Sequence, residues 1–174
     1  MRIWRGLGAP IAPQLPGPHA LPSYAAMGRY IAGATTLDPR LRLLVQQLAA
    51  ELAGCRWCVE QGRHRWRKAF LPWGVLGAVR RHATSPLFSE RERAALAFTE
   101  ALSGYADAAG GIPAAVLAEL RRHFSEPEVA ALTLAVTAEH LFNPATGALG
   151  ADARLAAPVR SVRRAAGSAM RNFW

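Results

Sequence analysis

The chain has 174 residues, 51% of them hydrophobic and 19% charged, with a formal net charge of +9. That length suits one domain with its own core, and the balance of residues excludes a disordered or fibrous chain. No apolar run approaches the roughly 18–20 residues a membrane span requires, and no second composition block suggests another domain.

Residues 1–22 read as an irregular arm punctuated by Pro10, Pro13, Pro16, Pro18 and Pro22. They lack the apolar core and cleavage site of a signal peptide, so a cytoplasmic protein is expected. Residues 23–152 form the main body, where Val, Ile and Thr are scarce and Ala is abundant, which favours helix over sheet. A short helix is expected around Tyr24–Ala32. Asp38 as N-cap and Pro39 at the first helical position open the next one. Its apolar stripe is Leu41, Leu44, Val45, Leu48 and Leu52, interrupted at Gly54. A further helix begins at Cys55 and runs to about Phe70. After Pro72, a short helix covers Trp73–His82.

Ser85-Pro86 marks a loop, and Ser89 with Glu92 makes a capping box that opens a helix to about Leu102. Gly110-Gly111 is a break, and Pro113 starts another helix. Ser125 with Glu128 forms a second capping box, and Phe124 with Val129 a hydrophobic staple. That helix carries Val129, Leu132, Val136 and His140 on one stripe and is expected to end near Asn143-Pro144. Residues 153–174 are a basic amphipathic helix opened by Pro158, with Val159, Val162, Ala166 and Phe173 on one side. The expected fold is all-α, a single compact helical domain with an irregular N-terminal arm and an amphipathic C-terminal helix.

Both cysteines lie in Cys55-Arg56-Trp57-Cys58. One helical turn separates them, so the sulfurs share a side and can close a small-loop disulfide. So short a loop barely restricts the unfolded chain, and a structural bridge would stabilise little. A redox role is the better reading. Zinc would need two further ligands, and His64 and His82 match no finger spacing, so neither metal nor cofactor is expected. A thiol reacts as its thiolate, whose formation requires a pKa below the usual value of about 8.5. A helix starting at Cys55 supplies unpaired N–H groups and the positive end of its dipole, and the cluster Arg63-His64-Arg65-Trp66-Arg67-Lys68 acts in the same direction. One sulfur would attack a peroxide to give a sulfenic acid, the second would condense with it, and an external reductant would reopen the disulfide. This cycle requires both sulfurs to be within reach of solvent.

The basic cluster, together with Arg154, Arg160, Arg163, Arg164 and Arg171, reads as solvated helix surface. No zinc finger, helix-turn-helix or aromatic RNA-binding signature accompanies it, so a nucleic-acid partner is not expected.

The stretch from Leu37-Asp38-Pro39 through Glu51-Leu52-Ala53-Gly54-Cys55-Arg56-Trp57-Cys58-Val59 resembles the central motif of the alkylhydroperoxidase D-like, carboxymuconolactone decarboxylase-like superfamily. Phe88–Leu96, Phe124–Val129, Leu141–Asn143 and Ala148–Gly150 are similar to its second half, and the resemblance spans residues 20–152. It implies an all-α fold and an obligate homo-oligomer. It also implies a hydroperoxide substrate and a thiol reductant or redox partner protein, with Cys58 attacking and Cys55 resolving. Two departures stand out. Peroxidase members carry a histidine four residues after the second cysteine and a glutamate twelve before the first; here these positions are Gly62 and Leu43.

Substitutes for that relay are Glu51, which shares the face of Cys55 if its helix runs through Gly54, then Gln61 at i+3 from Cys58, and His140. Trp57 fills interior or interface space and can shield the thiols. His64 lies about 240° around the helix from Cys58 and faces away. Lactone decarboxylation does not use a cysteine pair, so the motif argues against it. The expected function is reduction of hydroperoxides through a Cys55–Cys58 dithiol–disulfide cycle. The alternative is an oligomeric redox sensor or interaction module with little peroxidase activity.

Overall fold

Cysteine placement in this chain is decided by how one helix stops and the next begins. The computed structural model describes residues 36–105 and 111–148, with side chains described as far as residue 141. The expected N-terminal arm, the helix at Tyr24–Ala32 and the helix from Pro158 lie outside the described residues. Among the described residues, six α-helices appear in chain order: α1 Pro39–Leu52, α2 Arg56–Lys68, α3 Trp73–Gly77, α4 Glu90–Ser103, α5 Ala114–His123 and α6 Glu126–Ala148. A 3-10 turn, Val79–Arg81, follows α3. No strand occurs among the described residues.

The caps read from the sequence are present. The Asp38 carboxylate accepts from the Leu41 N–H at 3.1 Å, with Pro39 at the start of α1. Ser89 and Glu92 bond reciprocally at the start of α4, and Arg40 Nε donates to Glu92 Oε1 at 2.7 Å, which ties α1 to that cap. Burial would push the Glu92 carboxyl up, but Arg40 and Ser89 together hold it below its ordinary value. At the start of α6, the Ser125 N–H and hydroxyl both donate to Glu128, which also meets Arg91 at 2.6 Å. Arg91 in turn lies 3.9 Å over the Phe124 ring.

α1 packs on both α2 and α4, and α5 packs on α4. Leu44, Leu48, Leu96, Leu120, Leu132 and Val136 have no exposed surface and join these helices and α6 in one core. Burying each such side chain contributes roughly 1.5–3 kcal/mol. Trp66 of α2 is also fully buried, and its indole N–H donates to the Pro72 carbonyl at 3.1 Å.

Three expected boundaries change. α2 ends at Lys68 rather than Phe70, because Phe70 takes a left-handed conformation (φ 54°). The N–H groups of Phe70 and Leu71 then bond back to Arg67 and Trp66, which closes the helix. The helix expected over Trp73–His82 breaks after Gly77, and the remainder tightens into the 3-10 turn. α6 does not stop at Asn143-Pro144 but continues to Ala148. A proline removes one ladder bond, and the neighbouring bonds carry the helix past it.

Candidate functional site

Gly54 is the residue that aims the cysteines. Its φ of 67° is left-handed, a conformation that residues bearing a Cβ adopt reluctantly. Its N–H donates to the Glu51 carbonyl at 3.3 Å, and the Cys55 N–H to the Ala50 carbonyl at 3.1 Å. These are the two bonds of a Schellman motif, with Gly54 at C′ and Cys55 at C″ of α1. Cys55 is also the N-cap of α2: its sulfur accepts from the Cys58 N–H at 3.2 Å. One residue therefore ends one helix and begins the next, and Cys58 comes round on the first turn. The sulfurs are joined as a Cys55–Cys58 disulfide with the α-carbons 5.3 Å apart.

The expectation that both sulfurs lie within reach of solvent is corrected here. Cys55 is 4% and Cys58 3% exposed. The reason is local: Trp57 is buried beside them, and α2 turns the face bearing Cys58, Gly62 and Trp66 inward. The neighbouring turn of Leu52, Ala53 and Gly54 is exposed, as is Arg56 on the other side of Cys55.

Glu51 is half-buried on the last turn of α1 and accepts from Gln47 Nε2 at 2.8 Å. Because α1 stops at Leu52 and the chain reverses at Gly54, the continuous helix face that would have aligned Glu51 with Cys55 does not exist. Gln61 is half-buried on α2. His140, also half-buried, meets the Ser103 hydroxyl of α4 at 2.9 Å, and burial lowers its pKa. His64 is exposed and pairs with Arg67 at 3.0 Å, in keeping with its expected outward face. His82 is buried against Glu100, 3.3 Å away.

The structure adds polar groups that sequence reasoning passed over. Gln46 and Gln47 are buried in the middle of α1, and Glu139 is buried on α6. Arg65 of α2 donates to Gln46 Oε1 at 3.1 Å and attracts Glu139 electrostatically. Burial pushes the Glu139 carboxyl up to about 7, against the pull of Arg65, and neither of its oxygens accepts a hydrogen bond. Gln47 fills the space beside Gly62 so closely that a Cβ added there would stand 2.0 Å from Gln47 Oε1. A side chain at position 62 would therefore meet the Gln47 carboxamide, which would have to move aside. Cys58, Gly62 and Arg65 lie at i, i+4 and i+7, on one stripe of α2.

The described helices have the alkylhydroperoxidase D-like fold, of the superfamily that also includes carboxymuconolactone decarboxylase. Among solved structures, the chain is similar to a protein of unknown function from Agrobacterium tumefaciens, provisionally assigned as an antioxidant defence protein, AhpD. The TM-score is 0.71 at 26% identity, covering 76% of this chain and 89% of that one. It is also similar to the debrominase Bmp8 in its apo form, with a TM-score of 0.71 at 18% identity, over 99% of this chain and 90% of that one. A cysteine-to-alanine variant of Bmp8 in complex with 2,3,4-tribromopyrrole matches at 0.71 and 19% identity, over 99% and 89%. No protein-family model and no curated protein matches the sequence.

Proposed function

We propose that the protein is a thiol-dependent oxidoreductase that reduces hydroperoxides through its Cys55–Cys58 pair. The observation that carries this reading is the disulfide itself, closed across the first turn of α2 in an alkylhydroperoxidase D-like fold. The bond closes so small a loop that its stabilising effect is slight, so reversible chemistry is its better use. In the reduced state, one cysteine thiolate attacks the hydroperoxide. The O–O bond breaks, an S–O bond forms, and the departing alkoxide takes up a proton. The second thiol then displaces water from the sulfenic acid, and the S–S bond closes. An external dithiol reopens it by exchange and leaves as its own disulfide.

The provisional assignment of the Agrobacterium protein to antioxidant defence supports the same reading. Hydroperoxide consumption in the presence of a dithiol reductant tests it. Turnover should be well above that of free thiol and should vanish in Cys58→Ser.

A second reading is favoured by two observations: both sulfurs are covered, and Leu43 and Gly62 stand at the two relay positions that the family resemblance implies. On that reading the pair senses redox state in an oligomer and turns over peroxide no faster than a free thiol. We further propose a cytoplasmic homo-oligomer. Phe70 supports the oligomer, being 94% exposed and in a left-handed conformation that a bulky residue adopts at a cost. Trp73 nearby is also exposed. No helix among the described residues is long and apolar enough to cross a membrane.

A further inference from the structure

We infer that the surface formed by the end of α2, by α3 and by the 3-10 turn after it docks on a phospholipid bilayer rich in anionic headgroups. Arg67, Lys68, Arg80 and Arg81 meet the headgroups, and Trp73 enters the water–lipid boundary. The inference stands apart from the thiol chemistry. It uses neither the cysteines nor Phe70, which the assembly proposed above engages.

Charge is segregated along the chain. Residues 61–89 carry six of the lysines and arginines and no aspartate or glutamate. On α2, Arg63, His64, Arg67 and Lys68 are exposed, while Trp66 between them is buried. In the next segment Val75, Leu76, Ala78 and Val79 turn into the core, which leaves Trp73, Gly74, Gly77, Arg80 and Arg81 outside. α2 packs on α3, and α3 on the 3-10 turn, so the two exposed stripes belong to adjoining elements.

Pairing sets these cations apart from others on the surface. Arg63 meets Glu60 at 2.6 Å, Arg121 meets Glu126 at 3.2 Å and Arg122 meets Glu119 at 2.8 Å. Among the described residues, Arg67, Lys68, Arg80 and Arg81 have no carboxylate partner. Arg67 instead meets His64 at 3.0 Å. Burial, with the charges of Lys68, Arg67 and Arg65, holds that imidazole below its ordinary pKa. Cations in the last turn of α2 also oppose its dipole. A three-residue 3-10 turn has almost no dipole to oppose, so that account leaves Arg80 and Arg81 unexplained. Anionic headgroups explain both pairs: each basic residue held near such a surface strengthens binding about fivefold. Trp73 is 53% exposed at the first position of α3, and an exposed indole suits the bilayer interface. That boundary receives the ring without the shaped pocket a protein partner would have to provide, or the base a nucleic acid would have to stack on it.

The test is cosedimentation of the full chain with vesicles of phosphatidylcholine, alone or mixed with phosphatidylglycerol, at about 50 and about 300 mM salt. Wild type should bind the anionic vesicles at least about tenfold more tightly at the lower salt, and lose most of that binding at the higher. Arg67→Glu with Lys68→Glu, and Arg80→Glu with Arg81→Glu, should each weaken binding at least about twentyfold. Arg121→Glu with Arg122→Glu makes the same change of net charge elsewhere and should cost no more than about threefold. Trp73→Ser should weaken binding without flattening its salt dependence. Equal binding to both kinds of vesicle, or equal losses in all three charge pairs, would overturn the inference. An oligonucleotide preferred to vesicles at the same salt would overturn it too. So would light scattering that finds the oligomer lost in Arg80→Glu with Arg81→Glu, which would give the surface to a second copy. None of these outcomes bears on peroxide turnover, which tests the reading above separately.

Discussion

A carboxyl group enclosed by protein, with no donor on either oxygen, is expensive to ionise. Glu139 is 1% exposed and in that position, and its pKa of about 7 lies above the ordinary glutamate value. The sign of the effect on stability follows. Between the unfolded pKa near 4.5 and the folded value near 7, the native state keeps a proton that the unfolded chain releases, so stability falls as pH rises. Above that range the full penalty remains. Glu139→Gln should therefore stabilise the protein above pH 7 by about 1–3 kcal/mol, since each tenfold change in proton affinity is worth roughly 1.4 kcal/mol. The gain should shrink as the pH falls and disappear below about 4.5. Urea denaturation at pH 4, 6 and 8 measures it, and a gain independent of pH would show that Glu139 does not titrate as argued.

Glu139 and Gln47 were not legible in the sequence for a shared physical reason. A lone glutamate or glutamine is ordinarily solvated, and nothing in its own identity reports burial. Position does carry some signal: Leu132, Val136 and Glu139 fall at i, i+4 and i+7, a stripe that sequence reasoning assigned to His140 instead. For Gln47, the clue was the absence of a side chain at Gly62, fifteen residues away. Its meaning depends on how α1 packs against α2, which spacing along the chain cannot give.

At the scale of elements, the junction between α1 and α2 matters more than either helix. Its geometry rests on Gly54, and a Cβ placed there meets nothing within 4 Å. The penalty for Gly54→Ala is therefore purely conformational, about 1 kcal/mol, and Gly54→Asn should cost less because asparagine tolerates the left-handed region. Urea midpoints of the two variants check the order; an alanine variant as stable as wild type would remove Gly54 from its role. The caps at Asp38, Ser89 and Ser125 were legible because local hydrogen-bonding chemistry sets them. The ends near Phe70 and Asn143-Pro144 were misplaced. At Phe70 a left-handed residue with the wrong side chain for the task ends the helix, and at Pro144 the ladder bonds on either side carry the helix past a breaker.

The all-α fold was readable from composition, helical stripes and the resemblance, because these signals agree with one another along the chain. The covering of the sulfurs was not, since it depends on where Trp57 and the inner face of α2 come to rest. Assembly is the next question at this scale. Light scattering at micromolar concentration should find an oligomer, and Phe70→Gly should weaken it while relieving the left-handed strain within one protomer. A wild-type monomer under those conditions would refute the assembly.

Reversible chemistry at two adjoining sulfurs is the claim on which the functional account stands, and intact-mass measurement through one redox cycle addresses it most directly. Reduced protein given a stoichiometric hydroperoxide should lose two hydrogens within Cys55–Cys58, liberate the alcohol, and regain both hydrogens on addition of a dithiol. Persistence of two unreacted thiols, or a bridge that no dithiol reopens, would contradict it.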